Sequence, residues 1–202
     1  MDTPETHYRE GMKFWNQDSF KQAEEEFLLA KSLDRTYAPA FAGLALTTAK
    51  KAQTSPDKKS MEKGFKAALD LADQAQSLNG KIPEPFIAKA LVLTMQHEGR
   101  DSVSKWIGKV EKNCEKAINI APQNPSGYYY RGLCYKRVYE FTKASADFKK
   151  VLELGKDFTA EANEQWATIQ KIERAAPGTE VGKRIALVDK ISRSDIGSSF
   201  CI

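Results

Sequence analysis

The side chains capable of covalent or metal chemistry are few and widely separated in this sequence. Its thiols are Cys114, Cys134 and Cys201, and its imidazoles are His7 and His97. No two cysteines form a CxxC pair, and these positions give no zinc-binding spacing. Nucleophile elbows, phosphate-binding glycine loops, HExxH motifs and paired-carboxylate motifs are also absent. We therefore expect no enzyme activity, no metal and no cofactor.

Structural roles account for the thiols and imidazoles. Cys114 and Cys134 fall on apolar helix faces, so buried free thiols are the prediction and a disulfide between them is the alternative. His7 lies near the N-terminus and His97 near a predicted turn between helices, which predicts two solvated surface histidines.

The composition is that of a helical protein without a dedicated nucleic-acid or membrane function. Hydrophobic residues make up 41% and charged residues 29% of the chain, with sparse glycine and proline. The net charge of +4 comes from 31 basic and 27 acidic side chains that are interspersed, so we expect no nucleic-acid partner. No apolar stretch reaches the length of about 18 residues that spans a bilayer. The segment MDTPETHYRE has no signal-peptide pattern, which predicts a soluble chain and leaves its compartment open.

Two segments of the chain, 8–35 and 128–156, repeat the same pattern of small and aromatic residues. In the first, the pattern consists of Gly11, Phe14, Phe20, Ala23, Phe27 and Ala30. In the second, it consists of Gly132, Tyr135, Phe141, Ala144, Phe148 and Val151. The spacings are identical in both, at 3, 6, 3, 4 and 3 residues. This agreement predicts a repeated structural unit.

The unit is predicted to be a helical hairpin. Residues spaced three and four apart share one helix face, so each segment folds as two amphipathic helices. Small residues such as Gly11 and Gly132 are expected where the two helices cross, because they let the axes approach closely. One hairpin cannot bury its own apolar face, so neighbouring hairpins must stack.

This pattern resembles the tetratricopeptide repeat (TPR) family. The segments APAFAGLAL and PEPFIAKALVL begin further units, and CEKAINIAP resembles the usual end of one. The resemblance implies an all-α fold, a right-handed superhelical stack of about four hairpins with a C-terminal capping helix. The units are expected at about 4–37, 38–81, 83–124 and 125–158, the capping helix at 159–175, and a linker and tail at 176–202.

The repeat length departs from the usual period of about 34 residues. The intervals between successive small residues are 34, 45 and 42, measured between Gly11, Ala45, Ala90 and Gly132. In unit two we expect the extra residues to form an exposed loop at 50–64, around Ser55-Pro56-Asp57. In unit three we expect longer helices, 84–98 and 101–121. An enzyme, the remaining alternative, would need a deep polar pocket at the unit-two insertion.

The resemblance also implies a concave groove that is lined by the first helix of each unit and binds a peptide or helix of another protein. The predicted groove residues are Tyr8, Met12, Trp15, Asn16, Leu46, Lys50, Ile87, Leu91, Met95, Tyr129, Leu133, Lys136 and Arg137, with Ala42, Ala49 and Thr94 beside them. This set is mostly apolar and aromatic. Some family members bind a C-terminal carboxylate with polar groups at positions that are Tyr8, Met12, Ala42, Leu46 and Ile87 here, so we expect no carboxylate clamp.

Other occupants and another role are open from the sequence. The chain's own tail or a second copy, in a homodimer, could fill the groove, or the array could act only as a structural spacer. The tail segment DKISRSDIGSSF weakly resembles the opening of S-layer-homology segments. That resemblance implies a structural component of a bacterial cell envelope, whose array positions a C-terminal module.

Overall fold

A computed structural model describes residues 2–97 and 102–175, which fold entirely as helices and connections. In chain order the α-helices are α1 Pro4–Asn16, α2 Phe20–Leu33, α3 Ala38–Gln53, α4 Lys58–Leu78, α5 Glu84–His97, α6 Ile107–Ile120, α7 Ser126–Arg137, α8 Phe141–Leu154 and α9 Thr159–Ala175. The described part contains no β-strand, so the all-α prediction is confirmed. None of these helices is both long and apolar enough to cross a membrane.

The helices pack as four consecutive hairpins: α1 with α2, α3 with α4, α5 with α6, and α7 with α8. The first helices also pack side by side, α1 against α3, α3 against α5, and α5 against α7. Helices α3 and α5 are therefore covered on several sides, which is why almost every residue of their runs APAFAGLAL and EPFIAKALVL is buried. Helix α9 packs on α8 and buries Ala162, Ile169 and Ile172.

Small residues lie at the helix crossings, as the sequence predicts. A Cβ atom on Gly11 would lie 2.5 Å from Cε1 of Phe27, and one on Gly43 would lie 2.5 Å from Cδ1 of the same ring. In hairpin four, a Cβ on Gly132 would lie 2.8 Å from Cε1 of Phe148. Each phenylalanine of the outer helix thus fills the space that the missing side chain leaves on the inner helix.

The extra residues of hairpin two lengthen its helices, so the predicted loop at 50–64 is wrong. Helix α4 has 21 residues, whereas α2 has 14, and only residues 54–57 separate α3 from α4. The Asp57 side chain accepts a hydrogen bond from the Ser60 backbone N–H at 2.8 Å and starts α4. A Cβ on Gly64 would lie 2.6 Å from that of Ala52, so close packing continues into this extension.

In hairpin three, by contrast, the second helix starts later than the sequence predicts. Helix α6 begins at Ile107 and follows a 3₁₀ turn, Val103–Lys105, so the prediction of a helix from residue 101 is wrong. The buried Trp106 stacks on His97, with ring centroids 5.9 Å apart. This contact links the start of α6 to the end of α5, so His97 is partly buried and not the fully solvated residue that its sequence position predicts.

His7 also has a structural role instead of the solvated one predicted. Its Nδ1 lies 2.6 Å from Oε2 of Glu26, and its Nε2 lies 2.5 Å from Oδ1 of Asp2. Only 19% of its side chain is exposed. The hydrogen bond to Glu26 raises the pKa of the imidazole above 6.5, and the bond to Asp2 raises it further. His7 thus links α1 to α2 most strongly when it is protonated.

We expect the stability of the protein to depend on pH through His7. A raised pKa in the folded state adds stability that is complete below pH 6.5 and is lost as the pH rises through the raised pKa. His7→Gln should lower the melting temperature at acidic pH and have a smaller effect at alkaline pH. An NMR titration should give a His7 midpoint above 6.5 that falls in Glu26→Gln; an unchanged midpoint in that variant would contradict this account.

Polar contacts inside hairpin four hold α7 in place. The Arg131 guanidinium donates two hydrogen bonds to Asp147 of α8, from Nε at 2.8 Å and from Nη2 at 2.7 Å. Asp147 is 5% exposed, so this is a largely desolvated pair. Its carboxylate raises the pKa of the guanidinium above its ordinary value. Two residues before Asp147 on α8, the Ser145 hydroxyl accepts a hydrogen bond from Nε1 of Trp166 at 3.0 Å, which secures α9.

The prediction of buried free thiols at Cys114 and Cys134 is confirmed. Cys114 and Cys134 are both buried and free. Burial raises the pKa of the Cys114 thiol well above its ordinary value, which disfavours the reactive thiolate. The Thr94 hydroxyl donates a hydrogen bond to Sγ of Cys134 at 3.3 Å. Cys201 and the tail segment that resembles S-layer-homology sequences lie outside the described residues.

Candidate protein-binding groove

The first helices of the hairpins surround a cavity of about 720 Å³, hereafter the groove. The predicted residues that line it are Tyr8, Met12, Trp15, Asn16, Leu46, Lys50, Ile87, Leu91, Met95, Tyr129, Leu133 and Arg137. Ala42 also lines it, whereas the fully buried Ala49 and Thr94 are not among the lining residues. The structure therefore places all but one of the predicted groove residues around a single concavity.

The exception is Lys136, whose side chain lies away from the groove. Its Nζ donates a hydrogen bond to Oε1 of Gln165 on α9, at 2.6 Å. Leu133 and Arg137 are four residues apart on α7 and share the groove face, while Lys136 lies on the neighbouring face and contacts α9 through Gln165. The sequence prediction that Lys136 lines the groove is therefore wrong.

The two ends of the array meet across the groove. The Tyr130 hydroxyl on α7 donates a hydrogen bond to Oδ1 of Asn16 on α1, at 3.2 Å, although the residues are 114 positions apart. Tyr130 is 3% exposed, and burial raises the pKa of its hydroxyl. The sequence assignment missed Tyr130 because no repeat position predicts contact between the first and last hairpins.

A segment between α8 and α9 adds a wall that the repeat pattern did not predict. Phe158 has a φ of 65° and stacks on Tyr129, with centroids 4.7 Å apart. Asp157 and Glu161, on either side of it, also line the groove. Burial raises the pKa of Tyr129 to about 12, and the negative charge of Glu161 contributes to the rise. The only sequence signal for this wall was the position of the capping helix itself.

Most of the charged groove residues were also missed. Cations lie in the last turns of the lining helices, where Lys50 of α3 has its Nζ 4.8 Å from the ring centre of Phe20. Glu84, which the prediction did not include, lies in the first turn of α5 and lines the groove. Its Oε2 is buried and accepts no hydrogen bond from the described residues. Burial raises the pKa of this carboxyl group.

The chemical character of the groove follows from its lining residues. The lining combines aliphatic side chains, tyrosines and a tryptophan with charged side chains of both signs. Among residues 2–97 and 102–175, no three side chains of His, Cys, Asp or Glu come together as metal ligands. Apolar and aromatic walls with a few placed polar groups are typical of surfaces that bind peptides or helices.

The architecture matches a solved structure along most of both chains. TTC0263, a thermophilic TPR protein of Thermus thermophilus, superimposes with a TM-score of 0.62, and the match covers 83% of this chain and 81% of that one. The two are 16% identical. This chain has the tetratricopeptide-repeat fold. The TPR hairpins predicted from the spacing of small and aromatic residues are therefore confirmed.

Sequence comparison finds a more local similarity to a curated protein. The E3 ubiquitin-protein ligase CHIP of Arabidopsis thaliana is 30% identical over 92 residues, which are 46% of this chain. The chain spans 30% of the length of that curated relative. No model of a known protein family matches the chain.

Proposed function

We propose that this TPR array is a protein-binding module that takes a helix or an extended segment of a partner protein into the groove. The observation that carries the proposal is the cavity of about 720 Å³ that four parallel inner helices line with apolar and aromatic side chains. A groove of this kind suits a segment whose apolar residues alternate with, or lie along one side of, its polar residues.

The groove combines a rigid wall with accessible contacts. Ile87, Leu91 and Tyr129 are each less than 10% exposed, because they also pack within the array. Met12 and Leu133 are only half-buried and remain available to a ligand. A wall that is already ordered loses little conformational entropy when it binds, which favours affinity. Tyrosine, tryptophan and methionine are also enriched at protein interfaces.

Site-specific photocrosslinking in cells that express the chain tests this proposal. Benzoylphenylalanine at Met12 or Leu133 should form an adduct with a segment of another protein, and mass spectrometry should identify that segment. The same residue at Leu29, which is 46% exposed on the outer face of α2, is the matched control. We expect the groove positions to share one adduct that the control position lacks.

The position of the adduct distinguishes the occupants. Adducts from Met12 and Leu133 that map to residues 176–202 would identify the chain's own tail as the occupant of the groove. Adducts that map to a second copy of this chain would identify a homodimer. Partner adducts from Leu29 alone would place binding on the outer face and contradict the groove.

A further inference from the structure

The groove is lined by side chains of both charges. Among its acidic residues, Glu84 is in the first turn of α5 and Glu161 in the first turn of α9. Among its basic residues, Lys50 and Arg137 are in the last turns of α3 and α7. A ligand in the groove therefore meets both carboxylates and cations.

Glu84 is the acidic groove residue that has a buried oxygen without a hydrogen-bond donor among the described residues. Its Oε2 is shielded from water and receives no hydrogen bond from residues 2–97 or 102–175. A buried carboxylate oxygen without a donor is costly, and such groups are usually satisfied by a partner. No ion pair found among the described residues involves Glu84.

Aromatic rings accompany this carboxylate. Tyr8 and Tyr130 line the same cavity as Glu84. Burial raises the pKa of the Tyr8 hydroxyl well above its ordinary value, and the negative charge of Glu84 adds to the rise. The faces of tyrosine rings attract cations, and a carboxylate in a site of low polarity attracts them more strongly than one in water.

We propose that Glu84, Tyr8 and Tyr130 form a cation site, which binds the ammonium or guanidinium group of a lysine or arginine in the partner segment. This inference rests on the proposed function and names the chemistry of the ligand. Apolar residues beside that lysine or arginine pack on Ile87 and Leu91, which line the adjoining wall. The site thus selects a positively charged group, whereas a carboxylate clamp selects a negatively charged one.

Selection of random peptides displayed on phage, with the full chain as bait, tests the cation site without a known partner. The enriched peptides should share a lysine or arginine next to apolar residues. A synthetic consensus peptide should bind Glu84→Gln about tenfold or more weakly than wild type, because a charge-assisted contact is lost. The control is Glu5→Gln, which removes an exposed acidic group from the first turn of α1 and should leave affinity unchanged.

A double-mutant cycle separates direct contact from a structural effect. Replacing the consensus lysine with norleucine should weaken binding to wild type by about the same factor and cause little further loss in Glu84→Gln. Additive losses from the two changes would overturn the contact. Circular dichroism should show equal helicity in wild type and Glu84→Gln, because the substitution only replaces a carboxylate oxygen with an amide nitrogen.

Three other results would also overturn the proposal, and they differ in what they leave standing. Enriched peptides without a basic residue would remove the cation site but keep groove binding. Failure of wild type to enrich any peptide would count against both proposals. Binding that tightens about tenfold or more when Lys183→Ala and Arg184→Ala are combined in the full chain would assign the cation to the chain's own tail.

Discussion

Phe27→Ala is expected to lower the free energy of unfolding by about 3–5 kcal/mol. The Phe27 ring has no exposed surface and lies against Gly11 of its own hairpin and Gly43 of the next. Its removal leaves a cavity at a point where three helices meet. Urea unfolding monitored by circular dichroism measures the loss. Leu28→Ala is the matched control, since Leu28 is 49% exposed, and its effect should stay within about 0.5 kcal/mol.

A second substitution tests whether the ring and the glycine fit each other. Gly11→Ala should destabilise the wild type by about 1–3 kcal/mol, because the new Cβ would lie 2.5 Å from the Phe27 ring. In the Phe27→Ala background that conflict is gone, and Ala is favoured over Gly within a helix by about 1 kcal/mol. Gly11→Ala should then be neutral or stabilising. Equal losses in the two backgrounds would show that the crossing is not the reason for the glycine.

The second large effect is expected at the buried ion pair of hairpin four. Asp147→Ala leaves the Arg131 guanidinium without its bidentate partner in a largely desolvated position, and this should cost about 3 kcal/mol of unfolding free energy. Glu153→Ala is the control, because Glu153 is 65% exposed and forms its ion pair with Lys150, at 3.1 Å, on the surface of the same helix. Its loss should be below about 0.5 kcal/mol in the same urea titration.

Replacing both partners separates the value of the pair from the cost of an unpaired charge. The double variant Arg131→Met with Asp147→Leu should be more stable than Asp147→Ala, since no charge remains buried without a partner. A double variant as unstable as Asp147→Ala would indicate that the hydrogen bonds themselves position α7. The groove residues Tyr129 and Leu133 on α7 are then expected to move, which the crosslinking yield at Leu133 would report.

Local sequence patterns were sufficient for the hairpins and for the faces of their helices. The recurrence of Gly11 and Phe27 as Gly132 and Phe148 predicted both crossings because helical periodicity and steric fit are short-range properties. The same periodicity placed Tyr8, which lines the groove, on the correct face of its helix. The periodicity failed for Lys136. This residue is one position before Arg137, which lines the groove, and its side chain lies on the adjacent face of α7, where it contacts Gln165 of α9.

The lengths of the irregular hairpins depended on contacts that the pattern does not contain. Ser55-Pro56-Asp57 predicted a long loop, yet Asp57 caps α4 and Gly64 allows α3 and α4 to continue in contact. In hairpin three, by contrast, Trp106 packs on His97 just before the first turn of α6. Both sequences are compatible with helix, so packing between helices made the difference.

The curvature of the whole array belongs to the tertiary structure, because it accumulates from small rotations at each contact between hairpins. That curvature brings Tyr130 to Asn16 across 114 positions of sequence. It also encloses Glu84, whose exposure depends on neighbours from several hairpins and whose buried oxygen no local pattern could predict. The chain sequence thus accounts for which helix faces are apolar, whereas the stacking of the hairpins accounts for how those faces enclose a charged, concave site.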